Sequence, residues 1–509
     1  MPTLRWLTRD DDIRAAGSVP YRLLEEIPDL GHGDRDIGNM LIQGDNLDAL
    51  KALLPFYAGQ VKCIYIDPPY NTRSAFEHYD DNLEHSQWLA MMWPRLELLR
   101  DLLHETGSIW VSIDDAEGHY LKVMMDEVFG RNTFVDTIIW QKADSPRNSA
   151  RQFSSDHDYI FVYGRSGEWL PKRLPRTAEA NSIYTNPDAD PRGPWLPGDP
   201  YANKPYSKGQ YVITGPTGRE FQPPPGRFWR ISEETFRALD RDGRIWWGQN
   251  RSARPSIKKY VNEVSDLVPR TLWGKDEVGS NRRSKNEMRA LFPNEASFDT
   301  PKPERLLERI FQIATNPGDV VLDSFLGSGT TAAVAQKMGR RYIGIEMGDH
   351  AETHCQPRLR KVVDGEQGGI SEAVNWKGGG GFRFYRLGVS VFDETGQIRP
   401  DIEFPVLAGH VWFSEVRSPW SKPATPSPVL GVHDGRAYAL LYNGILGDKS
   451  VTGGNVLTRK TLAVIRDALP EGFAGPVTVY GERSALSDAS LVREQITFKQ
   501  TPYDVKARA

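Results

Sequence analysis

The stretch Val320–Thr331, VVLDSFLGSGTT, joins a short apolar run to an acid, a glycine pair and two threonines. Its first three residues suit a strand covered on both faces, as in a parallel sheet. Gly327 and Gly329 permit a tight turn, after which a helix is predicted from about Thr330 to Gly339. Buried strand, acid, glycine turn and helix start, in that order, form the geometry in which open α/β sheets bind nucleotide-type ligands. Tyr342–Ile345 reads as the next strand. Glu346 at its tip follows Asp323 by 23 residues, where a ribose-binding carboxylate belongs. The third glycine of the dinucleotide fingerprint is missing, since Ala332 and Ala333 follow Thr331. That disfavours a pyrophosphate-bearing cofactor and leaves room for a nucleoside with an amino-acid tail. A glycine turn that merely joins strand to helix is the other reading.

Upstream, Val61–Ile66 is a second buried strand, and Asp67, Pro68, Pro69 and Tyr70 leave its carboxyl end. An acid, two prolines and an aromatic at that position can grip a flat, amino-bearing base. A carboxylate at Asp67 accepts one N–H of an exocyclic amine, and the Pro68 carbonyl accepts the second. The prolines lack a competing N–H and stiffen the turn. Tyr70 offers a stacking face. A rigid turn with no ligand is the alternative.

Between these motifs, Leu89, Met92, Leu96, Leu99 and Leu103 recur at helical steps, with Pro94 as a possible kink and Gly107 as the predicted end. Strands are predicted at Ser108–Ile113, closed by Asp114 and Asp115, at Val135–Trp140 and at His157–Tyr163. A helix follows over Pro303–Ala314. Gly365–Gly381 reads as a linker or long loop. Ala437–Tyr442, Leu462–Leu469 and Val477–Tyr480 suggest a small mixed domain.

At 509 residues, two or three packed units are expected. Hydrophobic and charged shares of 39% and 26% describe a globular chain, and no apolar run is long enough to span a bilayer. Met1–Asp12 lacks an apolar signal core, so a cytoplasmic location without membrane attachment is expected. Cys63 and Cys355, the only cysteines, are far apart and lack metal-ligand spacing, so neither a disulfide framework nor a metal site is expected. The net charge of −4 hides a segregation: residues 141–290 hold 26 Lys and Arg against 18 Asp and Glu. Phosphate neutralisation needs such an excess, although charge runs are commonly just solvated faces. Within it, Arg227, Phe228, Trp229 and Arg230, then Arg244, Trp246 and Trp247, interleave cations with rings. Such groups contact phosphates and stack on bases, or else pack a core.

DPPY at Asp67–Tyr70, DSFLGSGTT at Asp323–Thr331, GDNL at Gly44–Leu47, SIDDAE at Ser112–Glu117 and TPKPERLLERI at Thr300–Ile310 together resemble one family. It is the beta-class DNA amino-methyltransferases, and within them the modification subunits of type III restriction systems. The resemblance covers about residues 40–350, with the catalytic loop ahead of the cofactor loop. It implies an α/β fold: a doubly wound, mostly parallel, Rossmann-like methyltransferase sheet with circularly permuted motif order. An inserted target-recognition region and a small C-terminal α+β domain complete it.

The implied division is an N-terminal extension 1–35, a catalytic half 36–140, a DNA-binding insert 141–290, a cofactor half 291–364, and a linker with C-terminal domain 365–509. The implied reaction moves a methyl group from S-adenosylmethionine to N6 of an adenine flipped out of double-stranded DNA. Asp67, Pro68, Pro69 and Tyr70 would be catalytic. Asp45, Lys302, Asp323, Phe325, Gly327, Gly329, Thr330, Thr331 and Glu346 would hold the cofactor. Asp45 has a second reading as the cap of a helix starting near Leu47, and Lys302 as a solvated charge. Asp114 and Asp115 are expected to shape a strand end. Family members acting on cytosine N4 commonly carry Ser at the position of Asp67, so adenine is favoured. A homodimer and a helicase-nuclease partner are further implications. Cytosine N4 or RNA methylation on the same scaffold, and a non-catalytic DNA-recognition subunit, are the rival readings.

Overall fold

The computed structural model describes residues 2–71, 84–148, 150–293, 300–393, 398–399, 402–443, 445, 447 and 454–501. The chain forms two compact units, Met1–Pro171 with Arg270–Ala509, and Lys172–Pro269.

The larger unit is built on an 11-stranded sheet. Its principal strands are β1 (Arg22–Glu26), β2 (Met40–Gln43), β3 (Val61–Ile66), β4 (Leu103–Ile113), β5 (Phe134–Gln141) and β6 (His157–Gly164). They continue with β7 (Leu272–Trp273), β8 (Val320–Asp323), β9 (Arg341–Glu346) and β10 (Gly381–Ser390). Their order is β1-β10-β2-β9-β8-β3-β4-β6-β5-β7. The run from β10 to β4 is parallel throughout. β6 then lies antiparallel to both β4 and β5.

Alternation explains the layering. Ile64, Ile66, Leu322, Ile343 and Ile345 join a core with Leu50, Leu53, Trp88 and Leu96 on one face. Those last four come from helices α1 (Asn46–Tyr57) and α2 (His85–Leu102). On the other side α4 (Glu304–Ala314) packs against β3 and α5 (Thr330–Lys337). Between them in sequence runs α3 (Asn281–Leu291).

Helix α2 passes Pro94 and ends at Leu102, ahead of the predicted Gly107 stop. Leu103 already pairs with Val61, because the buried edge of β3 has a partner to offer there. The glycine-rich stretch 365–381 is a packed loop and not a joint. Ile370 is 1% exposed, the Trp376 indole donates to the Val362 carbonyl at 2.8 Å, and Gly381 opens β10 of the main sheet. β1 likewise draws residues of the N-terminal extension into that sheet.

Of the basic stretch 141–290, β6, β7 and α3 belong to the larger unit, while 172–269 fold apart. A small mixed sheet of Val429–His433, Arg436–Leu440, Val477–Gly481 and Ile496–Gln500 is the C-terminal α+β element. Its helix Arg459–Asp467 buries Leu462 and Ile465 against Ala437, Val477 and Val479. No helix among the described residues is long and apolar enough to cross a membrane.

Candidate active site

Strands β9, β8 and β3 are neighbours; the first two end in Glu346 and Asp323, and Asp67 directly follows the third. Adjacent strands lie about 4.8 Å apart, so three carboxylates line up along one edge of the sheet. The chain leaves β8 for β9 on one side and β3 for β4 on the other. Where connections diverge like this, a crevice opens at the carboxyl ends of the strands. The crevice here is a cleft of about 1690 Å³. The motifs 256 positions apart in sequence thus face one cavity.

Its side toward the glycine turn is built from backbone turns locked by buried charge. Asp323 is 2% exposed and accepts from the Phe325 N–H at 2.9 Å and the Thr331 hydroxyl at 2.6 Å. Burial pushes its carboxyl up to about 7, and Asp67 and Glu346 push the same way. Glu346, 3% exposed, accepts from the Gly327 N–H at 2.7 Å. Gly329 caps α5 at φ 79°, a conformation that strains any residue with a Cβ. Buried Arg358 donates to the Thr330 hydroxyl at 2.8 Å and the Ser328 carbonyl at 3.2 Å, and it pairs with Glu304 at 2.9 Å. Lys337 joins the same Glu304 at 2.8 Å, tying α4, α5 and the glycine turn together. Ser324 lines the cleft, and its hydroxyl is buried without a hydrogen-bond partner among the described residues.

On the other side, Asp67 Oδ2 pairs with Lys302 Nζ, while Oδ1 is buried and has no hydrogen-bond partner among the described residues. The Lys302 ammonium also sits 5.1 Å from the Tyr70 ring centroid. Trp88 donates to the Pro69 carbonyl at 2.8 Å and fixes the loop from beneath. Burial holds the Tyr70 phenol well above its ordinary range, so it stays neutral, and its O–H lies 3.4 Å from Asp158 Oδ2. Asp158, 2% exposed, meets Lys142 at 2.5 Å, and burial raises its carboxyl against the pull of Lys142 and Lys302.

Asp67, Pro68, Pro69, Tyr70, Lys302, Asp323, Phe325, Gly327, Thr330, Thr331 and Glu346 all line the cleft. Gly329 shapes the turn behind it. Asp45 stands apart. Its carboxylate caps α1 through the Leu47 N–H at 2.8 Å and meets Arg95 at 3.2 Å, while Asn46 and Arg95 reach the cleft. Asp114 accepts from the Ala116 N–H at 2.9 Å and Asp115 from the Tyr159 hydroxyl at 2.8 Å, both shaping the end of β4. Asn46, Lys142 and Asp158 were missed by sequence reasoning. The signal for Asp158 was an acid heading the apolar run of β6; only pairing of β6 with β4 brings it to the Asp67 loop.

Of the two readings open for the cations and rings of the basic stretch, base contact or core packing, Trp229 and Trp247 take the second. Trp229 and Trp247 are 0% and 6% exposed, packed with Phe221, Phe236 and Ile245 in that unit's own core. Arg227 pairs with Asp199 at 2.6 Å, and Arg244 with Glu263 at 2.6 Å. The rings had apolar surface to bury and the cations had acids at hand, which is the packing alternative.

Residues 61–356 match the family model described as DNA methylase. The chain is 35% identical over 342 residues to the type III restriction-modification enzyme StyLTI Mod subunit of Salmonella typhimurium, covering 60% of this chain and 51% of that protein. It is 32% identical over 424 residues to the probable HindVI Mod subunit of Haemophilus influenzae, covering 70% and 55%. It is 30% identical over 326 residues to the type II methyltransferase M.EcaI of Enterobacter cloacae, covering 60% and 66%. The chain thus spans about half the length of the first two relatives.

Proposed function

Because the chain belongs to the DNA methylase family, we propose that it transfers a methyl group from S-adenosylmethionine to N6 of a specific adenine in double-stranded DNA. The observation that carries this reading is Asp67 Oδ1, a buried acceptor without a partner among the described residues, beside Tyr70 in the cleft of the glycine turn. A buried lone pair left unpaired is costly unless a ligand donor satisfies it.

The cofactor site fits the group. Gly327, Thr330 and Glu346 border a space for ribose and adenine, and Ser324, whose hydroxyl has no hydrogen-bond partner among the described residues, lines the same cleft. When bound, S-adenosylmethionine supplies an electrophilic methyl group on a sulfonium. The chain's own residues orient the acceptor. Asp67 takes one N–H of the amine and the Pro68 carbonyl the other, which turns the nitrogen lone pair out of the ring plane and toward the donor. Tyr70 stacks the extruded base. Lys302 holds Asp67 in place through the second carboxylate oxygen. After transfer, Asp67 is the nearest acceptor for the proton that the amine releases.

The similarity to Mod subunits supports membership in a restriction-modification system in the cytoplasm, with a dimer of this chain and a helicase-nuclease subunit as partners. Sequencing that detects modified bases, on DNA from cells expressing the chain, tests the reading. Methylated N6 of adenine within one recurrent sequence is expected. N4-methylcytosine alone, or unmodified DNA, overturns it.

A further inference from the structure

Two features at the cleft are not used by this mechanism. Phe153 lines the cleft, yet it is 95% exposed. It projects from the connection between β5 and β6, which is folded back on itself. The Lys142 N–H donates to the Asp156 carbonyl at 2.9 Å, the Arg147 N–H to the Ser154 hydroxyl at 2.8 Å, and the Ala150 N–H to the Arg147 carbonyl at 3.0 Å. Arg147 and Arg151, both exposed, precede the ring on this connection and also line the cleft. An aromatic ring held out in water on a braced, cationic turn gains much by entering an apolar stack.

The second feature is α3. Arg282, Lys285 and Arg289 recur at three- and four-residue steps on one helical face, and all three line the cleft. A neighbouring face is anchored by buried Ser284 and Met288. None of the three cations forms an ion pair among the described residues, whereas Arg283 on the flank reaches Glu287 at 3.6 Å. From Arg282 to Arg289 the helix rises about 10 Å. That spans roughly three base steps of one strand at about 3.4 Å each.

We infer that these features are the two sides of a grip on the strand carrying the target base. Phe153 enters the duplex in the place the extruded base leaves, and Arg282, Lys285 and Arg289 hold the phosphates of that strand. The inference rests on the methyl-transfer reading above and deepens it. Extrusion exposes the faces of both neighbouring base pairs, and an inserted ring restores stacking on them. The cations neutralise backbone charge without reading sequence.

The test uses the full chain and a duplex carrying the target sequence found by modification-detecting sequencing. Phe153→Ala is expected to lower kcat/KM on the paired duplex by about tenfold or more, with Phe153→Trp close to wild type. On a duplex with an abasic site opposite the target, where extrusion is easier, Phe153→Ala is expected within about threefold of wild type. Combined Arg282→Gln, Lys285→Gln and Arg289→Gln should lower the slope of log affinity against log salt by about 2 to 3. A Phe153→Ala chain equal to wild type on the paired duplex, or equally impaired on both duplexes, overturns the wedge. An unchanged salt slope overturns the phosphate contacts. A wild-type chain that methylates no DNA overturns the functional reading and this inference with it, an outcome separable from a failure of the variants alone.

Discussion

The cleft at the end of the main sheet and the insert at 172–269 spend similar residues in opposite ways. In the insert, buried Lys258 meets Asp190 at 2.7 Å, Arg227 meets Asp199, Arg244 meets Glu263, and Trp229 and Trp247 join the core. In the cleft, Asp67 Oδ1 and the Ser324 hydroxyl are buried without a hydrogen-bond partner among the described residues, and burial raises the Asp323 carboxyl to about 7. Stability comes from satisfied groups, and binding from groups the fold leaves unsatisfied. In the cleft the buried acceptor without a partner among the described residues, Asp67 Oδ1, stands in a cavity that a ligand can enter.

Several substitutions can break that contrast. Asp67→Ala should cut methyl transfer about a thousandfold, near 4 kcal/mol, with cofactor affinity largely kept. Labelled-methyl incorporation and calorimetric titration of the cofactor read the two separately. Unchanged transfer would falsify the mechanism. In the insert, Trp229→Ala should cost about 3 kcal/mol or more through the cavity it leaves, seen as an earlier transition in denaturant. An unshifted transition would mean that the ring is not a core member.

Glu346→Gln should weaken cofactor binding about tenfold to thirtyfold, because the Gly327 N–H loses its charged acceptor while the shape is kept. Equal affinity would place the cofactor away from this strand end.

Asp323 gives a pH signature. Its folded carboxyl is raised from 3.8 to about 7, so between those values the folded chain holds a proton that the unfolded chain has lost. The contribution of this group is therefore fully present below about pH 4 and declines as pH rises through 7, by at most about 1.4 kcal/mol per pH unit. Asp323→Asn should lack that decline when midpoints of unfolding are compared across pH 4 to 8. Parallel curves for the two proteins would remove Asp323 from the argument. Smallest of all, Arg244→Gln should change stability by less than about 1 kcal/mol, since its acids are part-exposed. A large loss of DNA affinity in that variant would reinstate the insert's paired cations as phosphate contacts.

Much of the fold was legible where local pattern and tertiary need agree. Val61–Ile66 is the β3 strand as read, and Val320–Thr331 is strand, turn and helix as read. β1 and β10 were not legible. Both lie toward one edge of the sheet, and their mixed polar sequences pair with partners hundreds of residues away. Asp45 shows the same limit in the site: the residue type suits a ligand or a cap, and its contacts with Arg95 and the Leu47 N–H appear only in the folded chain.

By itself the sequence determined the chemistry available: an acid, two prolines and an aromatic after one buried strand, and a glycine turn with a downstream carboxylate after another. Those readings depend on short-range periodicity and on the hydrogen-bonding capacity of particular side chains. The tertiary structure decided which groups meet. Strand order makes β8 and β3 neighbours, so Asp67 adds to the cost of ionising buried Asp323. Pairing of β6 with β4 brings in Asp158, and packing of the insert's core withdraws Trp229 and Trp247 from any ligand. Proximity between residues 256 apart is a property of sheet topology, because charge interactions and burial depend on distance in space and on solvent exclusion, which no local pattern encodes.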